Sequence, residues 1–116
     1  MRALKADVLQ EQCPSRGVME HIASRWGVLV ILVLSKGTHR FSELRRAVGG
    51  VSEKMLAQTL HTLQADGFVL RTAYPEVPPR VEYQLTPLGQ ELSMHVAGLV
   101  GWIEKNLPKV QRARAA

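Results

Sequence analysis

A single cysteine, Cys13, is the only thiol in the sequence. An intrachain disulfide is therefore excluded, which fits a reducing compartment. Long apolar runs are missing too. The longest, Val28–Leu34, falls far short of the roughly 20 residues that cross a bilayer. Met1 to Gln12 is charged and has no apolar signal core. The expectation is a soluble, cytoplasmic protein with no membrane partner. Its four histidines, His21, His39, His61 and His95, are far apart and have no cysteine at ligand spacing. A zinc site is accordingly not expected. No glycine-rich phosphate loop, nucleophile elbow or paired carboxylate motif occurs. Neither a histidine arrangement nor a second cysteine supports Cys13 as a thiol catalyst. The expectation is no enzyme, no catalytic residue, no metal and no cofactor.

What is present suits a small binding protein. The 116 residues are 46% hydrophobic and 22% charged, enough for one compact domain whose modest core dimerisation would help stabilise. The net charge of +5 and the isoelectric point near 9.9 favour an anionic partner, nucleic acid ahead of a membrane surface. The charge is unevenly placed: net +3 over residues 36–71 and +4 over 105–116, but −3 over 72–104.

Local signals predict an order of elements. Pro14 suits the first position of a helix that runs to about Ala23. Trp26 to Ser35 reads as a buried helix closed at Lys36-Gly37. His39-Arg40-Phe41 is a short extended segment. Ser42 is the expected cap of a helix over Glu43–Val48, broken by Gly49-Gly50. Ser52 caps a longer one, Glu53–Ala65, which ends at Asp66-Gly67. Phe68–Tyr74 and Arg80–Leu85 read as strands of a hairpin around the proline-rich loop Pro75–Pro79. Thr86-Pro87 opens a final helix expected to stop at Leu107, before Pro108, with a frayed tail behind it.

The fold class is thus α+β, mostly α: a winged helix-turn-helix with a two-stranded wing and a C-terminal helix. In such a fold the second helix of the pair enters the major groove and the wing flanks it. The helix after Ser52 can be tested by its periodicity. Met55, Leu56, Thr59, Leu60 and Leu63 fall on one side; Lys54, Ala57, Gln58 and His61 fall on the other. Gln58 can pair with adenine edges, and Lys54 can reach guanine or phosphate. An ordinary solvated face is the competing reading of those four residues.

From Cys13 to about Leu92 the sequence resembles the HxlR-type regulators, relatives of the MarR-like winged-helix proteins. The matching stretches are Cys13-Pro14, Trp26 with its apolar run, and Arg40-Phe41-Ser42-Glu43-Leu44. Val51-Ser52-Glu53-Lys54-Met55-Leu56 and Leu63-Gln64-Ala65-Asp66-Gly67-Phe68-Val69 follow, then Pro78-Pro79-Arg80-Val81-Glu82-Tyr83-Gln84-Leu85-Thr86-Pro87-Leu88-Gly89. Where the family usually has Gly-Gly-Lys before the tryptophan, this chain has Ala23-Ser24-Arg25. The resemblance implies DNA binding, dimers and transcriptional control.

Further residues carry paired readings. Arg80, at the foot of the wing loop, either enters a minor groove or holds phosphate, or else pairs with Glu82 or Glu76. Arg45 and Arg46 contact phosphate or solvate their helix. Leu88, Leu92, Val96, Leu99, Ile103 and Leu107 form a stripe on one helical face, with Gly98 and Gly101 allowing close approach. The stripe packs on its own domain or, as the resemblance supports, forms a dimer interface. Cys13 sits at a helix start, where the helix dipole lowers a thiol pKa. It is either a small structural residue or a redox sensor, a role some members of the resembled family give a cysteine at this place.

The chain is accordingly divided into an N-terminal arm (1–12), a DNA-binding winged helix-turn-helix (13–85), a dimerisation helix (86–107) and a basic tail (108–116). The expected function is sequence-specific binding of double-stranded DNA at a palindromic operator, as a homodimer that controls transcription, with Cys13 either a structural residue or the input for thiol redox chemistry. The DNA-binding set is Ser52, Lys54, Gln58, His61, Arg45, Arg46 and Arg80. A winged-helix module that binds protein without specific DNA binding is the alternative; the basic middle third and acid-poor helix face argue against it.

Overall fold

Serine and threonine caps place most of the helix starts. A computed structural model describes residues 5–116, so the arm expected over 1–12 is described only from Lys5 on. Five helices and one hairpin follow in order: α1 (Pro14–Ala23), α2 (Arg25–Leu34), α3 (Phe41–Ala47), α4 (Glu53–Ala65), β1 (Val69–Tyr74), β2 (Arg80–Leu85) and α5 (Pro87–Ala115). Ser24 separates α1 from α2, whose axes differ by 71°. Its hydroxyl accepts the Gly27 N–H at 3.0 Å, satisfying one of the free donors of the first turn. Ser52 accepts from Met55 N–H at 3.1 Å and Thr86 from Gly89 N–H at 3.0 Å in the same way.

The core lies where α2, α4, the hairpin base and α5 meet. Val30, Ile31 and Leu34 of α2 pack with Leu44 and Val48, Val51, Leu56, Leu60 and Leu63, Phe68, Val69, Leu85 and Val96. Among the described residues no single helix is long and apolar enough to cross a membrane. β1 and β2 pair antiparallel with Val69 opposite Leu85 and Tyr74 opposite Arg80. The extended segment expected around His39 is one bridge: His39 exchanges backbone hydrogen bonds with Tyr83 at 2.9 and 2.8 Å.

Two boundaries differ from the sequence expectation by more than one residue. First, Ser42 does not cap α3. The helix begins at Phe41 and Arg40 takes the cap position, its own N–H donating to Glu43 Oε1 at 2.7 Å. The glutamate at the third helical position thus reaches back to the N–H of the cap residue, and no cap hydroxyl takes part. Second, α5 does not stop at Leu107. It continues through Pro108 to Ala115, so the tail is helical. Pro108 removes one N–H, whose partner would be the carbonyl of exposed Glu104. Water can serve that carbonyl, and the residues beyond, among them Lys109, Gln111, Arg112, Arg114 and two alanines, favour helix.

Candidate nucleic-acid interface

Apolar residues anchor both sides of the turn between α3 and α4 in the core. Val48 and Val51 are buried, while Gly49 and Gly50 between them are exposed. Gly50 has φ +87°, a left-handed conformation that glycine adopts freely. Arg45 Nη1 meets Glu53 Oε1 at 2.9 Å, joining the last turn of α3 to the first turn of α4. Both side chains are largely exposed, so the pair contributes little stability. Its relevance is electrostatic: it neutralises the acidic residue in the first turn of α4.

α4 presents one face to the core through Leu56, Leu60 and Leu63. Lys54, Ala57, Gln58 and His61 lie exposed on the other side, and Ser52, the cap, is exposed at the start. Met55, expected with the buried set, is 38% exposed. It sits about 100° round the helix from the centre of the leucine face, too far to reach the core. It lines a shallow crevice against α1 with Glu20, His21, Ser24, Gln58, Thr59 and Thr62. Arg46 is exposed on α3 beside Arg45, and both line a second hollow with Phe41, Ser42 and Glu53.

The hairpin projects the loop Pro75–Pro79, with Val77 fully exposed. Arg80 at its foot is engaged within the hairpin. Its guanidinium stacks on the Tyr74 ring 4.2 Å from the centroid. Nη2 lies 3.2 Å from Glu76 Oε1, and Nε 3.9 Å from Glu82 Oε1. The stack on Tyr74 was missed in the sequence, although residues 74 and 80 stand equally far from the loop tip and so face each other across the hairpin. A second missed contact joins His21 Nδ1 at the end of α1 to Asp66 Oδ2, the residue that closes α4, at 2.6 Å.

The stripe on α5 is divided by the fold. Val96 is buried in the chain's own core and Leu92 packs against it, together with Val100. Leu88, Leu99, Ile103 and Leu107 remain exposed, joined by Met94, Trp102 and Val110. Cys13 is the half-buried cap residue of α1. The Ser15 hydroxyl donates to its sulfur at 3.1 Å, and the Asp7 N–H at 3.3 Å. These donors, Ser15 first, favour the thiolate and hold the Cys13 pKa below the ordinary thiol value. Among the described residues no group of His, Cys, Asp and Glu is arranged to hold a metal ion.

Residues 21–111 match the family described as HxlR-like helix-turn-helix. The HTH-type transcriptional regulator YtfH of Escherichia coli (strain K12) is 60% identical over 110 residues, covering 95% of this chain and 87% of that protein. A solved structure of the transcriptional regulator YtfH from Salmonella typhimurium superposes with a TM-score of 0.92 at 58% identity, over 97% of this chain and all of that one. The redox regulator HypR in its reduced form superposes with a TM-score of 0.78 at 33% identity, over 85% of this chain and 98% of that one.

Proposed function

The chain belongs to the HxlR-like helix-turn-helix family of transcriptional regulators, and from that premise we propose that it reads a palindromic DNA operator as a symmetric homodimer. The observation that carries this reading is the outer face of α4. Lys54, Gln58 and His61 are exposed there on a helix whose first-turn acid, Glu53, is already paired with Arg45. Gln58 is the base reader and Lys54 reads guanine or holds phosphate. His61, one turn later, meets phosphate or water. Ser52, Arg45 and Arg46 hold the backbone beside the α4 N-terminus, and Arg80 holds it at the wing. Residues 13–85 form the DNA-binding unit. The exposed part of the α5 stripe, centred on Leu99, Ile103 and Leu107, is the face two copies share, and the helical segment after Pro108 extends it. A regulator of this kind works in the cytoplasm.

Operator reading is tested by duplex binding. Gln58→Ala is expected to cost roughly 1–3 kcal/mol on the operator and to relax one position of its sequence preference. The measurement compares wild type and variant on operator and scrambled duplexes, the operator being located by footprinting DNA beside the protein's own coding region. Equal discrimination by the two proteins would move the reading face elsewhere.

Thiol chemistry at Cys13 is the proposed input. Likeness to a redox regulator supports it, as do the two donors aimed at the sulfur. With one cysteine per chain, oxidation ends in a bond to Cys13 of a second copy or in an adduct with a small thiol. A lowered pKa means that thiolate persists to lower pH than in a free thiol, so alkylation should reach half its maximal rate below the pH a free cysteine requires. Ser15→Ala should move that midpoint up. Oxidant should weaken duplex binding in wild type and leave Cys13→Ser unaffected; equal responses would assign Cys13 a structural role.

A further inference from the structure

The wing carries an arginine already bound to something shaped like its target. Arg80 lies directly across the hairpin from Tyr74, and the ring fixes the plane of the guanidinium. Glu76, on the loop, places Oε1 3.2 Å from Nη2, where a phosphate oxygen would bond. Glu82 stands 3.9 Å from Nε, beyond hydrogen-bond distance, and Nε is shielded from water with no acceptor. The guanidinium is thus ordered and only partly satisfied. Two carboxylates around one cation leave the cluster at Arg80 net negative, opposite in sign to what a group meeting DNA phosphates requires. Of the two, Glu76 is the replaceable one. Its side chain is about half exposed on the loop, whereas that of Glu82 is 26% exposed within a paired strand.

We propose that Glu76 is a resident substitute for a DNA phosphate: it occupies Arg80 in the free protein and yields it to the backbone when the wing meets a duplex. This rests on the DNA-binding reading above. Tyr74 keeps the guanidinium in place during the exchange, so the carboxylate swings away while the arginine stays. Since a phosphate carries no sequence information, the exchange lowers affinity for every duplex alike and leaves the choice of sequence to α4.

The test uses the full chain and a labelled mixed-sequence duplex, titrated at several salt concentrations. Glu76→Gln removes the competing charge without shortening the side chain. It should tighten binding about tenfold at low salt, because no internal ion pair has to be given up, and should leave the salt slope within about one unit per wing of wild type, because Arg80 neutralises a phosphate in both complexes. In an Arg80→Ala background the same substitution should bring no gain, a double-mutant cycle that isolates the pair. Glu91→Gln, which removes an exposed acid on α5, controls for net charge and should bring no comparable gain in affinity. Unaltered or weaker binding by Glu76→Gln overturns the proposal, as does a gain that survives Arg80→Ala or is matched by Glu91→Gln. If wild type shows no salt-dependent binding to any duplex, the DNA-binding reading itself fails; if wild type binds and Glu76→Gln does not improve on it, only the exchange fails.

Discussion

Leu99→Glu is expected to sediment as a monomer, to keep its helical circular dichroism and to lose operator binding by a factor of about 100 or more. The expectation of a folded monomer comes from exposure: Leu99 is 57% exposed in the isolated chain, so a glutamate there meets water and disturbs no packing. In the proposed dimer the same residue lies on the shared face with Ile103 and Leu107. A carboxylate buried there without a partner costs several kcal/mol. Loss of operator affinity follows because two linked readers gain roughly 100- to 10,000-fold over one from effective concentration alone. Equilibrium sedimentation and operator titration at matched salt are the measurements. A Leu99→Glu protein that stays dimeric would move the interface to another surface. Val96→Glu is not an equivalent test, because Val96 belongs to the monomer core and its loss would unfold the chain.

Gly89→Ala should destabilise the protein strongly for a single added methyl. Gly89 is buried in the first turn of α5, and a Cβ there would collide with the Phe68 carbonyl oxygen and stand 3.2 Å from Leu85 Cδ2. Backbone cannot move aside as a flexible side chain can. That carbonyl also accepts the Thr86 N–H at 3.0 Å, and the Thr86 hydroxyl donates to Gly67 O at 2.6 Å. Relief of the clash therefore disrupts the junction between the hairpin and α5. Overpacking of this kind costs about 3 kcal/mol or more, a large share of a small domain's stability. Urea denaturation should show the midpoint falling at an unchanged slope. A loss below about 1 kcal/mol would mean that the α5 start shifts freely, contrary to the hydrogen bonds that pin it.

The elements legible in the sequence are those set by neighbouring residues. Ser52 and Thr86 cap helices as expected, Gly67 ends α4 at φ +83°, and the alternation from Arg80 to Leu85 is a strand. The exposed face of α4 was also accessible, since the leucines at 56, 60 and 63 fix which side is buried. Other features depend on partners the sequence does not order. Periodicity finds the stripe on α5 but does not show that the domain itself covers Val96. Proline rules favoured a stop before Pro108, yet one lost hydrogen bond on an exposed turn is outweighed by good helix formers on both sides. Arg40 caps α3 only because Glu43 reaches its N–H. The link from His21 to Asp66 spans 45 residues and follows from packing of α1 on α4, which no local signal encodes.

Thr86 is the only residue between β2 and α5, and it is bonded on both sides, so the proposed dimer works as a ruler without slack. Regulators that join reader and dimeriser by a flexible tether can straddle sites of varied spacing. Here the orientation of each α4 follows that of α5 through a packed junction. Inserting about five base pairs between half-sites rotates one of them to the far side of the duplex. A tethered protein could twist to follow it. The proposed dimer would have to release one half-site, so the distance between half-sites would itself be a recognised feature, enforced by a single threonine and the glycine three residues after it.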